Sequence, residues 1–148
     1  MKLDDALQNV TKLGFDTAPV IYFVEANPKY DILITAVFEK ISGGKISGIS
    51  SVITLSEVLV HPIRQKDLYL QTQYRELLLR SRNFLTKHID ADIAEITAEL
   101  RSKYNLRTPD ALQIAAALDA GCEAFLCNDA GLRRVTELRV LVLDDIEL

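Results

Sequence analysis

Five short apolar runs, the first four parted from one another by one or two helical patterns, leave this chain little choice of fold. Leu13-Gly14-Phe15-Asp16 reads as the first strand, Lys45–Ser50 as the second, Phe84–Ile89 as the third, Ala124–Cys127 as the fourth and Arg139–Leu143 as the fifth. Between them apolar residues recur at steps of three and four, the period of a helix with one buried face. Thr17 is expected to cap a first helix that carries Pro19 in its opening turn. A second follows Asn27-Pro28 through Ile32, Leu33, Ala36, Val37 and Phe38 and stops at Gly43-Gly44. Val52–Val60 forms a third, halted by His61-Pro62; Lys66–Asn83 is long and polar, and Ala91–Tyr104 is amphipathic. Thr108–Ala120 is the most clearly punctuated helix, with Thr108 as cap, Pro109 in the first helical position and Gly121 as terminator. Strands alternating with helices define βαβ units, so the expected class is α/β with a parallel sheet covered on both faces.

No linker or repeat divides the 148 residues, so residues 1–148 read as one domain. Met1–Lys12 is an N-terminal extension before a core of about residues 13–143, and Asp144-Asp145-Ile146-Glu147 reads as a frayed end. Apolar residues make up 49% of the chain, enough to bury a core and to exclude disorder. The net charge of −4 excludes a uniformly basic coat for nucleic acid but leaves room for a local basic groove. Met1–Val10 lacks the apolar core of a signal peptide. Ile41–Glu57 is broken by Lys45, three glycines and six Ser/Thr, so it is no membrane span. Cys122 and Cys127, with only two histidines in the chain, cannot complete a typical structural zinc site. Reduced, buried thiols in a cytoplasmic protein are expected.

In parallel sheets ligands gather beyond the carboxyl ends of the strands, and four acids fall there. Asp16 ends strand one, Glu57 lies in the first turns of the helix after strand two, Asp110 is the second residue of its helix, and Asp129 follows strand four. Separations of 41, 53 and 19 residues mean that only the fold can bring them together. Carboxylates so gathered repel and hold their protons unless a cation neutralises them. A hard divalent ion such as Mg²⁺ or Mn²⁺ suits oxygen ligands, and it can activate water against a phosphodiester. Three of the acids also have a local alternative, whereas an acid ending an apolar strand, as Asp16 does, is seldom needed for folding. Asp110 would favour a helix start, Thr54-x-x-Glu57 has capping-box spacing, and Asp129 stands in the turn Asn128-Asp129-Ala130-Gly131. Ser56 has no neighbouring base and is no nucleophile, and His61 reads as part of a helix terminator. Arg107, Arg133 and Arg134 are the cations best placed to contact phosphates, ahead of Lys103 and Arg64, with solvated surface charge as the alternative.

At these residues the sequence resembles the PIN domain family. The motifs are Phe15-Asp16-Thr17, the helix Ser51–Glu57, the start Thr108-Pro109-Asp110-Ala111-Leu112 followed by small residues, and Phe125-Leu126-Cys127-Asn128-Asp129. A single-domain chain of this size is similar to the VapC-type toxins of toxin–antitoxin pairs. The resemblance implies a three-layer α/β/α sandwich around a parallel sheet of four to five strands. It also implies Mg²⁺ or Mn²⁺ held by Asp16, Glu57, Asp110 and Asp129, with RNA cleaved by metal-activated water. Thr17 and Asn128 would support the acids; a homodimer and a cognate antitoxin would be the protein partners. Cys127 departs from the Thr or Ser common in the family before Asn128. The long helix Lys66–Asn83 offers an apolar side either to the core or to such a partner. A PIN-like scaffold that binds a partner without catalysis is the alternative. A doubly wound domain gripping a phosphorylated small molecule is disfavoured, because Asp16-Thr17-Ala18-Pro19 stands where a Gly-rich loop would be needed.

Overall fold

Five parallel strands, β1 (Lys12–Phe15), β2 (Ser47–Ser51), β3 (Phe84–Lys87), β4 (Ala124–Cys127) and β5 (Arg139–Val142), pair in the order β3-β2-β1-β4-β5. The computed structural model describes residues 1–148. From β1 the chain moves outward through β2 to β3, then returns to pair β4 on the other side of β1. The strand order thus reverses at β1, and the crevice of such a sheet opens there, beyond the carboxyl ends.

Seven helices accompany the sheet: α1 (Leu3–Ala6), α2 (Thr17–Val24), α3 (Asp31–Ser42), α4 (Val52–Arg64), α5 (Leu68–Arg80), α6 (Ala91–Tyr104) and α7 (Thr108–Asp119). Alternation along β4 separates two cores. Ala124 and Leu126 join Leu13, Phe15 and residues of α1, α2, α3 and α5, whereas Phe125 and Cys127 join those of α6 and α7. The result is a three-layer α/β/α sandwich. Where α7 crosses β1 the layers nearly touch, since a Cβ on Gly14 would lie 2.7 Å from the Ala117 Cβ. No helix is long and apolar enough to cross a membrane, and both cysteines are free and buried.

Four local expectations are corrected. Asp16, not Thr17, caps α2: its backbone is extended and its carboxylate accepts the Thr17 N–H at 2.9 Å. Arg107 occupies the N-cap of α7, so Pro109 is its second residue and Asp110 its third. His61-Pro62 does not halt α4, which runs on to Arg64. Pro62 lacks the N–H that would bond the Val58 carbonyl, so the helix continues past it with one ladder bond fewer. Its carbonyl is used instead, accepting from the Asp67 N–H at 2.8 Å and Gln71 Nε2 at 3.1 Å. Finally, residues 144–147 do not fray: Ile146 is buried, Tyr30 donates to Asp144 at 2.6 Å, and Leu3 donates its N–H to the Glu147 carbonyl at 2.8 Å. Met1–Lys12 is likewise part of the core, with Leu3, Ala6, Leu7 and Val10 buried.

The long polar helix sends only part of its apolar side into the core. Tyr74 and Leu78 of α5 are buried, whereas Leu68 and Tyr69 stand 73% and 75% exposed.

Candidate active site

Asp16 emerges from β1 with its own N–H bound to the Leu126 carbonyl at 2.9 Å, so its position is fixed by the β1–β4 pairing. Its Oδ1 accepts from Thr17 N–H and from Gln113 Nε2 at 3.3 Å, while Oδ2 has no hydrogen-bond partner in the protein. Asp129 follows the same pattern after β4. It caps a 3₁₀ turn, Ala130–Arg134, by accepting the Gly131 N–H on Oδ1 at 2.8 Å. Each of these aspartates therefore spends one oxygen on a cap and leaves the other free.

Glu57 stands exposed in the second turn of α4. The helix is capped by Ser51, which accepts the Ile53 N–H at 3.2 Å. Thr54 is already helical and donates elsewhere, so the capping-box explanation of Glu57 is removed. Asp110 is held differently. Its side chain is 14% exposed, and Arg107 meets both oxygens, Nε at 3.1 Å from Oδ2 and Nη2 at 3.5 Å from Oδ1.

Electrostatics shows that these acids share one neighbourhood. The Asp16 carboxyl is pushed up to about 6, first by burial and then by the charges of Asp110, Glu57 and Asp129, against the opposing Thr17 N–H. Glu57 is raised as well, by burial and then by Asp110. Arg107 is raised by its bond to Asp110, and Asp129 and Glu57 reinforce the effect. The Arg107 guanidinium thus pairs with Asp110 and feels the charges of Asp129 and Glu57. As the side chains stand, no three of the acids close into a ligand set around one point. The donor set itself fits a hard divalent cation, because it consists of carboxylate oxygens, with one oxygen of Asp16 and one of Asp129 unbonded, in a field of excess negative charge.

The remaining candidates divide by what they touch. Asn128 donates to Tyr30 Oη at 2.9 Å and Tyr22 Oη at 3.4 Å, tying the loop after β4 to the neighbourhood of α2 and α3. Arg133 pairs with Asp145 on the surface. Arg134 is committed to the fold, donating to the carbonyls of Gly131, Tyr104 and Asn105 at 2.9, 3.0 and 3.4 Å. Lys103 pairs with Glu137. Ser56 donates to the Ile53 carbonyl at 2.8 Å. The Cys127 thiol, pushed up to about 12 by burial, sits 3.6 Å from the Asp129 backbone carbonyl and does not touch its carboxylate.

Sequence reasoning missed Gln113. Its side chain links Asp16 and Thr17 to Thr54 and Ser51 beneath the acids. The available signal was a polar residue on the otherwise apolar face of α7, among Ala111, Ile114 and Ala117.

The PIN domain family profile matches residues 15–138. The chain belongs to the PIN domain family, whose members are generally nucleases that use divalent metals. Its fold is similar to a chain of a toxin–antitoxin complex from Klebsiella pneumoniae, with 23% identity and a TM-score of 0.66 over 89% of this chain and 97% of that one. It is also similar to VapBC2 from Rickettsia felis bound to a DNA fragment from its promoter, with 15% identity and a TM-score of 0.71 over 88% and 98%. DNA-bound VapBC from Salmonella typhimurium gives 17% identity and a TM-score of 0.66 over 89% and 98%. A search among curated proteins finds no match.

Proposed function

We propose that this protein is a metal-dependent endoribonuclease and the toxin of a type II toxin–antitoxin pair, acting in the cytoplasm. The observation that carries the reading is the gathering of four carboxylates at the crevice of the sheet. Asp16 lies at its half-buried centre, and the charges of Glu57, Asp110 and Asp129 all reach it. The mutual repulsion in that arrangement is unfavourable by itself, and a divalent cation would relieve it. Asp16, Glu57, Asp110 and Asp129 would hold Mg²⁺ or Mn²⁺, which when bound supplies an activated water and neutralises charge on the phosphodiester. Thr17 and Asn128 act from behind, Thr17 through its N–H on Asp16 and Asn128 through the tyrosines that steady the Asp129 loop. Arg107, exposed beside Asp110, is the foremost phosphate contact, and Arg133, paired with Asp145 on the surface, is the second candidate. Arg134 adds positive potential from its anchored position.

Partner binding is read from the α4–α5 corner. Val60, Ile63, Leu68 and Tyr69 are all exposed there, an apolar surface suited to an antitoxin segment or a second copy of the chain. The test of the enzymatic reading is cleavage of a total RNA pool by the purified protein. Cleavage is expected with Mn²⁺ or Mg²⁺, abolished by EDTA and by Asp16→Asn. Undiminished cleavage by a folded Asp16→Asn protein would remove the assignment, and no cleavage by the wild type would leave a binding scaffold.

A further inference from the structure

Gln113 is 3% exposed and lies one turn after Asp110 on α7, yet it touches no acid on its own helix. Its Oε1 accepts from Thr54 Oγ1 at 2.7 Å and from Ser51 Oγ at 3.4 Å, both at the start of α4. Its Nε2 donates to Thr17 Oγ1 at 2.7 Å and to Asp16 Oδ1 at 3.3 Å, at the start of α2. Thr17 and Thr54 close the ring with hydroxyl oxygens 3.0 Å apart. An ionised carboxylate only accepts, so the amide cannot turn over without setting Oε1 against Asp16. Its orientation is therefore fixed. Every member of the ring stands within one turn of an acid: Thr17 follows Asp16, Thr54 precedes Glu57 by three residues, and Gln113 follows Asp110 by three.

We infer that Gln113 is the positioning residue that fixes the rotation of the Asp16 carboxylate, so that one oxygen stays free towards the cleft, and that it thereby sets the affinity of the acidic site for a divalent cation. The inference rests on the metal-site reading proposed above. Two donors on Oδ1, the Thr17 N–H and the Gln113 amide, lock the carboxylate and leave Oδ2 as the free ligand atom. With the amide gone, Oδ1 keeps one donor and the carboxylate is free to rotate. Partners that orient a ligating group in this manner are typically worth about 10–100-fold in metal affinity.

The experiment is calorimetric titration of the full chain with Mn²⁺ in the absence of RNA, with thermal melting in EDTA alongside. Gln113→Met keeps the side-chain length and removes the donor. Thr54→Val cuts the other arm of the ring and leaves the amide free to donate to Asp16. Gln113→Met is expected to weaken Mn²⁺ binding about tenfold or more, while Thr54→Val stays within about threefold of the wild type even if its melting temperature falls further. Should Gln113→Met not fold, Gln113→Asn draws the amide back by one methylene and is expected to show the same loss. Mn²⁺ binding by a folded Gln113 variant within about twofold of the wild type would overturn the inference alone. A wild type that binds no Mn²⁺ would overturn it together with the metal-site reading. Parallel losses in Gln113→Met and Thr54→Val would assign Gln113 a packing role and overturn it too.

Discussion

At the scale of single residues, the site is built from side chains that hold two roles at once. Asp16 and Asp129 cap local helices with one oxygen and present the other, so their placement is a by-product of chain geometry. Asp16 carries a cost that can be measured. Its folded carboxyl titrates at about 6 against an ordinary 3.8. At low pH both folded and unfolded forms hold the proton and no penalty exists. As pH rises from about 4 to 6 the unfolded chain ionises first, so the folded state loses stability, and above 6 the loss is complete at about 3 kcal/mol. Asp16→Asn keeps an oxygen for the Thr17 N–H and removes the charge. In EDTA it is expected to be more stable than the wild type by about 2–3 kcal/mol at pH 7.5, with the gap closing towards pH 4. Urea unfolding at both pH values measures this. A destabilised Asp16→Asn at pH 7.5 would show that the carboxylate is needed as a cap more than it is repelled by its neighbours.

At the scale of elements, what the sequence revealed and what it hid have separate causes. Ala91–Tyr104 and Ala124–Cys127 have in the structure the bounds read from the sequence, because both are closed by strong local punctuation: Asp90 and Asn105 around the helix, apolar residues then Asn128 around the strand. Asp16, Asp110 and Asp129 likewise stand where an element begins or ends, whereas Glu57 lies in the second turn of α4. The continuation of α4 past Pro62 was not legible. It depends on Gln71 and Asp67, residues beyond the helix that take over the proline carbonyl. The Gln113 ring was hidden because its bonds span 37 to 97 residues, and no local pattern encodes them. The same applies to the seat of α7 on β1. Gly14→Ala would place a methyl group 2.7 Å from the Ala117 Cβ and 3.0 Å from a Phe125 ring carbon. Such overpacking is expected to cost about 1–3 kcal/mol. Ala117→Gly should then recover part of the loss in the double variant, although alone it weakens the helix by about 1 kcal/mol. Strictly additive losses in denaturant melts would place the clash elsewhere.

At the scale of the whole molecule, the two ends of the chain act as one element. Met1 and Leu3 exchange backbone bonds with Glu147, accepting its N–H at 2.9 Å and donating to its carbonyl at 2.8 Å, and Lys2 and Glu147 form a parallel bridge. Beneath this strap Leu3, Ala6 and Leu7 belong to the same buried cluster as Leu143 and Ile146. A core confined to residues 13–143 would leave those side chains uncovered, so both ends are load sharing rather than decorative. The strap also steadies the site from a distance: Tyr30, stacked on Tyr22 with ring centres 4.5 Å apart, joins Asp144 to Asn128, the residue before Asp129. Leu3→Ala removes a side chain that is only 4% exposed. The expected cost is about 2–4 kcal/mol, which for a chain of this size lowers the melting temperature by roughly 5–15 °C. Ile146→Ala should cost a comparable amount, and the double variant should cost less than the sum, because the first truncation already loosens the strap that the second acts on. Unfolding should stay a single transition, read alike by far-ultraviolet circular dichroism and by tyrosine fluorescence. If instead Leu3→Ala melted within about 1 °C of the wild type, or a separate low-temperature step appeared, the first residues would be an appendage resting on a core complete without them.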